Sequence, residues 1–296
     1  MHMNKFLIYK ILQLVYGELF NTNNKFSKRL MRLFCRTPFK DFVYKFYKIF
    51  KKKNPILKTN NNDLFINNLD SQKILNNLNK SGICENINLK QIIIDNILLK
   101  IKDKKFQINR TKKNIYLNEK KNFKNIYLLR LFNPHKTIEV IDQIAHNNAI
   151  ITSVREYVNS EPIILSSQIW WTFPHYDELG IASNPPGNEF GFHYDVDDFK
   201  FLKLFFYLND VDSNSGPHVY IKNHNKKNFK EYLNRRITDD EANEYYKENI
   251  YTILGKTGNG FIEDTSFYHK GSNPKNNHNR GILQIVYGIK NWDNLS

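Results

Sequence analysis

The sequence predicts an α+β fold, with helices in the first half of the chain and a sandwich or barrel of short strands in the second. Of the 296 residues, 41% are hydrophobic and 14% aromatic, which suffices for a buried core and argues against a disordered chain. Beyond residue 160, short β-rich runs alternate with turn residues, as expected of a sandwich or barrel. These runs are PIILSSQIWWTF, EFGFHYDV, FLKLFFYL, PHVYI, YTIL, GFIED and RGILQIVYGI.

Helical periodicity marks parts of the first half of the chain. Residues 138–158 place isoleucine, alanine and valine near one face and are predicted to form one helix, and residues 64–80 a shorter one. Within 84–132, the runs IIIDNILLKI and NIYLLRLF fit strands, or a strand and a short helix. Residues 227–249 are polar, and we expect them to form a helical insertion over one end of the strand domain.

The basic charge of the chain is concentrated near its N-terminus. The net charge is +15, and residues 1–54 hold thirteen Lys or Arg against two acidic residues, so +11 belongs to this segment and +4 to the other 242 residues. We therefore predict a basic N-terminal segment, 1–60, followed by a domain at 61–296. Because the basicity lies outside that domain, a nucleic-acid partner is disfavoured.

Residues 38–53 carry apolar side chains at helical spacing, with lysines on the other side. The apolar stripe consists of Phe39, Phe42, Val43, Phe46, Ile49 and Phe50. Such a helix can pack its stripe on the protein's own core, or it can lie on an anionic membrane surface. Both interpretations stay open at this point, and the second predicts peripheral membrane contact through residues 1–54.

Neither a membrane span nor a secretory leader is predicted. The apolar run 6–20 has fifteen residues, fewer than the roughly 20 needed to span a bilayer, and no small-residue cleavage site follows it. The two cysteines, Cys35 and Cys84, form no CxxC pair and are too few for a disulfide framework, which fits a reducing compartment. We expect a cytoplasmic protein.

The most informative residues are His193 and Asp195, which flank a tyrosine. On a β-strand, side chains at i and i+2 point to the same face, and two ionisable groups facing inward are costly unless they bind something. A histidine from a distant strand, His269, can complete three ligands on one side of a metal. Two histidines and one carboxylate, with the remaining positions open, are the pattern of non-haem Fe(II) oxygenases.

Arg280 follows His269 by eleven residues and opens the strand GILQIVYG after a turn. One hairpin can therefore deliver both a metal ligand and a cation. The planar guanidinium suits a carboxylate of a dicarboxylate co-substrate. Taken in isolation, Arg280 fits a surface position at the start of a strand better than a ligand site.

This combination resembles the phytanoyl-CoA dioxygenase family of Fe(II)/2-oxoglutarate-dependent oxygenases. The resemblance is carried by residues 190–226 and 254–288, with the HxD motif, a hydrophobic strand ending in LNDV, a Ser-Gly-Pro turn, and a histidine followed eleven residues later by an arginine. One departure is that Lys222 and Asn223 stand before His224, where the family has Gly-Ser. That departure concerns a turn, and the resemblance as a whole covers about 165–290.

The resemblance implies a double-stranded β-helix core, a jelly-roll or cupin-like fold, with N-terminal and flanking helices. It implies that His193, Asp195 and His269 are the catalytic iron ligands and that Arg280 holds the distal carboxylate of 2-oxoglutarate. The implied reaction uses O2, converts 2-oxoglutarate to succinate and CO2, and hydroxylates a small-molecule or a lipid- or glycan-linked substrate. Related halogenases replace the ligand carboxylate with a small residue, so the intact Asp195 favours hydroxylation.

Further residues of the strand region have two interpretations each. Lys203 and Tyr207 share a strand face and are candidate additional contacts to the co-substrate, although Lys203 equally fits the solvent face. Gln284 shares the face of Arg280 and points into the barrel or is a structural glutamine. Trp170 and Trp171 can line a substrate pocket, but aromatic core packing is favoured.

Two other histidines, His218 and His224, lack a partner carboxylate at strand or helix spacing, so neither is predicted to be a metal ligand. The alternative to an oxygenase is a non-catalytic double-stranded β-helix module that binds a ligand and is tethered to a membrane surface. A zinc hydrolase is a third interpretation, and it predicts activity without O2 or 2-oxoglutarate.

Overall fold

The computed structural model describes residues 25–51, 53–123, 125–176, 191–222 and 229–292. Within these ranges, eleven strands form two antiparallel sheets. The strands are β1 Ile83–Glu85, β2 Lys105–Ile108, β3 Asn114–Tyr116, β4 Leu128–Phe132, β5 Ile163–Thr172, β6 Leu202–Tyr207, β7 His218–Ile221, β8 Ile250–Ile253, β9 Gly260–Glu263, β10 His269–Gly271 and β11 Arg280–Gly288. The predicted strands after residue 160 are confirmed, with the exception of EFGFHYDV.

The larger sheet has eight strands in the order β1-β9-β6-β11-β5-β4-β2-β3, and the smaller has three in the order β10-β7-β8. One apolar cluster joins them, because Phe205 and Phe261 of the large sheet pack with Tyr220 and Ile253 of the small one. The sheets therefore face each other, as in a jelly roll. Strand neighbours are far apart in sequence, since β11 lies between β5 and β6.

The other face of the large sheet carries the main core. The α-helices of the described residues are α1 Lys25–Phe34, α2 Lys40–Phe50, α3 Ser71–Ser81, α4 Gln91–Ile101, α5 Glu139–Ala145, α6 Asn148–Val158, α7 Phe229–Leu233 and α8 Asp239–Tyr246. Along β11, Leu283 and Ile285 belong to this core, whereas Ile282 belongs to the cluster between the sheets. This period-2 alternation decides which side chains of each strand face the space between the sheets.

The two open assignments in 84–132 are decided by the structure. IIIDNILLKI is helical, as α4, and its Ile94, Ile97 and Ile101 are buried at helical spacing. NIYLLRLF contains β4, in which Leu128 and Leu129 are buried and Arg130 is half-buried. The shorter helix, predicted over 64–80, is α3 and begins only at Ser71, because Asp70 caps it by accepting hydrogen bonds from the backbone N–H groups of Gln72 and Lys73.

The prediction of one helix over 138–158 is wrong, because the structure has two helices, α5 and α6. The break lies at His146 and Asn147. The side chain of Asn147 accepts hydrogen bonds from the backbone N–H groups of Ala149 and Ile150 and so begins a new helix. A hydrophobic repeat alone does not reveal such an internal cap.

The insertion expected at 227–249 contains α7 and α8, separated by an extended stretch at 234–238. The first two residues of this insertion, 227 and 228, lie outside the described residues. The same is true of Asn223, His224 and the apolar run 6–20. Within the described ranges, no helix is both long enough and apolar enough to cross a bilayer. The boundary at residue 60 stays a prediction.

The N-terminal helices pack on the body of the protein through side chains that the predicted stripe did not include. Tyr44 and Tyr47 of α2 are buried, and the ring of Tyr47 contacts Phe199 and Trp292. Half of the predicted stripe points outward, since Phe39, Phe42 and Ile49 are 63%, 65% and 65% exposed, whereas Val43 is half-buried against the main core. The interpretation that this stripe packs on the core is therefore wrong for these three residues.

Candidate active site

The segment that carries His193 and Asp195 is extended but is not part of a regular strand, which corrects the strand prediction. His193 forms isolated bridges with two segments, those of Arg236 and His269. Its N–H donates to the His269 carbonyl at 2.9 Å, and the His269 N–H donates back at 2.8 Å. The Asp195 N–H donates to Thr265 at 2.7 Å. The ligand segment is thus held to the start of β10, so that side chains 76 positions apart face each other.

Both histidines present the same ring nitrogen to the centre of the site. Nδ1 of His193 lies 2.8 Å from the carbonyl of Gly191, and Nδ1 of His269 lies 3.0 Å from the carbonyl of Phe267. A carbonyl only accepts hydrogen bonds, so each Nδ1 carries a proton and Nε2 is the nitrogen that each ring can offer to a metal. This arrangement orients metal-binding histidines in proteins.

The three predicted ligand side chains converge. Possible ligand atoms of His193, Asp195 and His269 all lie within 4.8 Å of one another. Nε2 of His269 is 3.3 Å from Oδ2 of Asp195, and Nε2 of His193 is 3.9 Å from Oδ1. With metal–ligand distances of about 2.0–2.2 Å, atoms spaced in this way can share one ion. The donor set of two imidazoles and one carboxylate fits Fe(II).

The electrostatics keep Asp195 ionised. Burial raises the pKa of its carboxyl group, but Lys203 and the two histidines outweigh burial and hold the pKa well below its usual value. The Lys203 ammonium lies 2.7 Å from Asp195 and 2.8 Å from Asp197. Asp195 is therefore a fixed carboxylate in a site that already contains one compensating cation.

The two histidines titrate differently. Burial, and then the nearby His269, lower the pKa of His193 to about 3, so His193 is neutral at physiological pH. Burial also lowers the pKa of His269, but its hydrogen bond to Asp195 outweighs burial and the net shift is upward. In the metal-free protein, a proton on His269 competes with the metal for Nε2.

Arg280 is a buried cation at the start of β11, with 4% of its surface exposed. One guanidinium nitrogen donates to the carbonyl of Gly216 at 2.6 Å, and Nε has no hydrogen-bond partner in the described structure. Among the described residues, Arg280 forms no ion pair with a carboxylate. A buried guanidinium without a counter-ion is costly, so the surface alternative is wrong and an anionic ligand is expected here.

A cavity of about 280 Å³ joins Arg280 to the three convergent side chains. It lies at the small end of the usual range of ligand pockets, roughly 300–1,000 Å³. Lys203, Phe205, Gln284 and Trp170 contribute to its wall. This cavity brings the predicted metal ligands and the predicted co-substrate anchor into one space.

The additional co-substrate candidates have different positions. Lys203 lines the cavity and is 7% exposed, so the solvent-face interpretation is wrong, but its ammonium is held by two carboxylates. Tyr207 is fully buried and is not among the cavity-lining residues. Its hydroxyl donates to the carbonyl of Ile253 at 2.8 Å and accepts from the N–H of His218 at 3.1 Å. Tyr207 therefore supports β7 rather than contacting a ligand.

The two tryptophans are divided between the two faces of β5. Trp170 lines the cavity, and its indole N–H donates to Gln168. Trp171 packs on the main core and donates to Asn279. Gln284 is 4% exposed and lines the cavity, as expected because it lies on the same strand face as Arg280.

His218 has a carboxylate partner that does not lie at strand or helix spacing and was therefore missed by the sequence analysis. Its Nε2 lies 2.7 Å from Glu263 of β9, and both residues are buried. The ring of His218 stacks on His269, with 5.6 Å between centroids. Glu263 lies 45 positions away on a strand of the other sheet, so spacing along the chain could not reveal this pair. The pair of His218 and Glu263 thus packs against His269, one of the predicted metal ligands.

Four arginines at the cavity also escaped the sequence analysis. They are Arg110, Arg130, Arg235 and Arg236, here called the arginine rim. Only Arg130 had a signal in the sequence, since it stands between two leucines in the strand β4. The other three lie in a turn or in the segment between α7 and α8, where no periodicity indicates a direction.

Comparison with known proteins identifies the fold. No protein family model and no curated protein matches the chain. Among solved structures, the epimerase SnoN in complex with Fe3+, alpha ketoglutarate and nogalamycin RO matches with a TM-score of 0.50 and 8% identity, over 73% of this chain and 82% of SnoN. HygX from Streptomyces hygroscopicus, with nickel, 2-oxoglutarate and hygromycin B bound, matches with a TM-score of 0.49 and 13% identity, over 73% of this chain and 86% of HygX.

At such identities the similarity concerns the fold alone. The match to SnoN confirms the jelly-roll core with flanking helices that the sequence predicted.

Proposed function

We propose that this protein is an Fe(II)/2-oxoglutarate-dependent dioxygenase of the phytanoyl-CoA dioxygenase type, which hydroxylates a substrate and releases succinate and CO2. The proposal rests mainly on one observation. Two histidine Nε2 atoms and one ionised carboxylate converge in the same cavity as a buried arginine that has no carboxylate partner among the described residues. A metal would bind the converging side chains, and an organic anion would supply the counter-ion of the buried arginine.

In the proposed site, His193, Asp195 and His269 hold the iron, and Arg280 binds the distal carboxylate of 2-oxoglutarate. Bound iron supplies the redox chemistry that couples O2 and 2-oxoglutarate decarboxylation to substrate hydroxylation. The chain itself supplies orientation and burial. Gly191 and Phe267 fix the imidazole tautomers, Lys203 holds Asp195, and the cavity walls limit access of water.

The test is anaerobic loading of the full chain with Fe(II) and 2-oxoglutarate. Chelation of 2-oxoglutarate at the metal gives a weak visible charge-transfer band, which we expect in the wild type and not in Asp195→Ala. The matched control is Asp197→Ala, which removes the other carboxylate on Lys203 and should keep the band. A band of equal intensity in all three proteins would contradict the assignment of Asp195.

The same preparations separate the competing functions. A dioxygenase releases succinate from 2-oxoglutarate only in the presence of O2. A binding module shows neither the band nor succinate, and a zinc hydrolase acts without O2 or 2-oxoglutarate. An Arg280→Gln variant should raise the KM for 2-oxoglutarate, because a charge-assisted contact contributes roughly 1.5–3 kcal/mol.

We also propose that α1 and α2 contact an anionic membrane surface. Large apolar side chains are exposed on both helices: Phe26, Leu33, Phe39, Phe42 and Ile49. The exposed basic residues Arg29, Arg32 and Lys45 lie among them. Apolar side chains mixed with cations match the interface of an anionic bilayer. This contact would bring a lipid-linked substrate close to the protein.

Vesicle co-sedimentation tests the contact. Binding of the full chain to vesicles containing anionic lipid should fall in Phe39→Ser/Phe42→Ser/Ile49→Ser and at raised salt. The control is Ile92→Ser/Leu99→Ser/Leu254→Ser, which removes three similarly exposed apolar side chains elsewhere. If both triple variants bind alike, the membrane proposal is wrong.

A further inference from the structure

The lining of the active-site cavity is strongly cationic. Six of its sixteen lining residues are Lys or Arg, and Asp195 is its single carboxylate among the described residues. Lys203 is compensated by Asp195 and Asp197, and in the proposed function Arg280 is compensated by 2-oxoglutarate. Lys203, Arg280 and a divalent metal carry four positive charges together, and Asp195, Asp197 and 2-oxoglutarate carry four negative ones. Among the described residues, Arg130 and Arg235 of the arginine rim therefore carry positive charge that the proposed reaction does not use.

The arginine rim is assembled from two distant parts of the chain. Arg130 lies on β4 and Arg110 in the turn between β2 and β3, at the edge of the large sheet. Arg235 and Arg236 follow α7 and reach the cavity from the segment that pairs with His193. The two groups meet at the same cavity although more than a hundred positions separate them. Their convergence concentrates like charge at one place.

Two members of the rim are held in position without an acidic partner. Arg235 donates twice to the carbonyl of Tyr194, at 3.2 and 3.1 Å. Arg130 donates to Gln107 at 3.1 Å, and its Nε is buried without a hydrogen-bond partner in the described structure. Among the described residues neither arginine forms an ion pair. Each guanidinium therefore keeps donors for a ligand.

The members of the rim also repel one another. Burial, followed by Arg110, lowers the pKa of Arg130, and burial, Arg235 and Arg110 lower the pKa of Arg236. Arg110 has a backbone φ of 61°, a left-handed conformation that residues other than glycine rarely adopt. Like charges brought together on a constrained backbone are costly, and a polyanion offsets this cost.

We propose that the substrate carries a phosphate or diphosphate group, which the arginine rim binds while another part of the substrate reaches the metal ligands. The inference rests on the proposed function and adds the substrate class. A single carboxylate is satisfied by one bidentate arginine, whereas a phosphate presents several charged oxygens to several planar guanidinium groups. The phosphate belongs either to a free metabolite or to a lipid headgroup at the membrane surface.

The first experiment titrates the metal-free full chain with pyrophosphate. Loss of one charge-assisted contact weakens binding roughly tenfold, so Arg130→Gln/Arg235→Gln should bind at least about tenfold more weakly than the wild type. The charge-preserving variant Arg130→Lys/Arg235→Lys should lose less affinity. The matched control is Lys112→Gln/Lys247→Gln, which removes the same charge from exposed positions outside the cavity and should bind like the wild type.

The second experiment distinguishes the sources of phosphate. Vesicles of phosphatidylcholine with phosphatidic acid should retain the wild type more strongly than the Arg130→Gln/Arg235→Gln variant if the group is a lipid headgroup. Rim-dependent binding of pyrophosphate without rim-dependent vesicle binding indicates a free metabolite. If neither depends on the rim, the inference is overturned.

Two further outcomes separate this inference from the proposed function. The Fe(II)/2-oxoglutarate band should be unchanged in Arg130→Gln/Arg235→Gln, and its loss there would show that the rim serves the co-substrate, which overturns the inference. The inference is also overturned if pyrophosphate binding is lost in Arg280→Gln but kept in Arg130→Gln/Arg235→Gln. A wild-type protein that binds pyrophosphate through the rim but gives no band is not an oxygenase, and the bound anion is then not an oxygenase substrate.

Discussion

At the scale of single residues, the site is defined by protons and charges. The carbonyls of Gly191 and Phe267 fix which nitrogen of each histidine is free, and Lys203 fixes the orientation of Asp195. None of these partners belongs to the HxD motif itself. The predicted ligands are thus positioned by groups that only the folded chain brings to them.

Metal binding should depend on pH through His269. Because Asp195 raises the pKa of His269 above 6.5, the metal-free protein keeps a proton there to higher pH than free imidazole does. This proton stabilises the metal-free fold below pH 6.5, and its contribution is lost as the pH rises through the folded-state pKa. Fe(II) must displace the proton, so affinity should fall by up to about tenfold per pH unit below that pKa.

Anaerobic calorimetry in two buffers with different ionisation enthalpies measures the protons released. We expect close to one proton per Fe(II) below the pKa of His269 and a decreasing number above it. Affinity that stays constant from pH 6 to pH 8, with no proton release, would show that His269 is already neutral.

The substitution Lys203→Met should destabilise the metal-free protein and make metal loading more stabilising. Removal of the ammonium leaves Asp195, and in part Asp197, without a counter-charge, which costs about 3 kcal/mol for a buried pair. A divalent metal replaces part of the missing charge. Thermal unfolding with and without metal should therefore show a larger rise in Tm for the variant than for the wild type.

Lys256→Met is the control, because Lys256 pairs with Asp210 on the surface and should change neither stability nor the metal response. Equal metal-induced shifts in Lys203→Met and the wild type would mean that Lys203 does not act on Asp195.

At the scale of secondary-structure elements, short strands bring the site together. β10 has three residues, yet it places His269 between His193 and β7 and ends at Gly271. A Cβ atom at Gly271 would lie 2.6 Å from a guanidinium nitrogen of Arg280. A side chain at the end of β10 would therefore collide with Arg280 at the start of β11.

The variant Gly271→Ala should shift Arg280 and weaken 2-oxoglutarate binding. The added methyl group would lie too close to the buried side chain of Arg280. Such overpacking typically costs about 1–3 kcal/mol, and we expect displacement of Arg280 to weaken 2-oxoglutarate binding by about 1–2 kcal/mol. Titration of the Fe(II)-loaded protein with 2-oxoglutarate measures the effect.

Ser272→Ala, at the next position, is the control, because the hydrogen bond that Ser272 donates to Pro217 comes from its backbone N–H. If Gly271→Ala binds 2-oxoglutarate like the control, Arg280 is not the anchor of the co-substrate.

At the scale of the whole molecule, Asp198 connects segments that the sequence keeps apart. Its carboxylate accepts hydrogen bonds from the backbone of Phe199, Ile289 and Lys290 and from the indole of Trp292. Phe199 and Trp292 also pack on α2. One fully buried carboxylate thus joins the end of β11, the segment after the HxD motif and the N-terminal helices.

Asp198→Asn should destabilise the whole fold by about 2–4 kcal/mol. An amide has one acceptor oxygen, so two buried N–H donors would face its NH2 group. Chemical denaturation monitored by circular dichroism measures the loss, with Asp103→Asn, an exposed aspartate, as the control. If the two variants are equally stable, Asp198 does not hold these segments together.

The sequence by itself determined the fold class, most strands after residue 160, and the identity of His193, Asp195, His269 and Arg280 as a convergent set. The fold class follows from short β-rich runs separated by turns, and the pairing of His193 with Asp195 follows from their i, i+2 spacing. That His269 and Arg280 join them is implied by the resemblance to the oxygenase family. The assignments that failed, such as the single helix over 138–158, concern caps that interrupt an unbroken hydrophobic repeat.

Only the tertiary structure decided that Glu263 supports His218, that Lys203 holds Asp195, and that four arginines meet at one cavity. Each of these contacts joins segments whose proximity depends on which strands and loops become neighbours. That choice follows from burial summed over the whole core, in which β11 lies between β5 and β6, and no local pattern of the chain contains it.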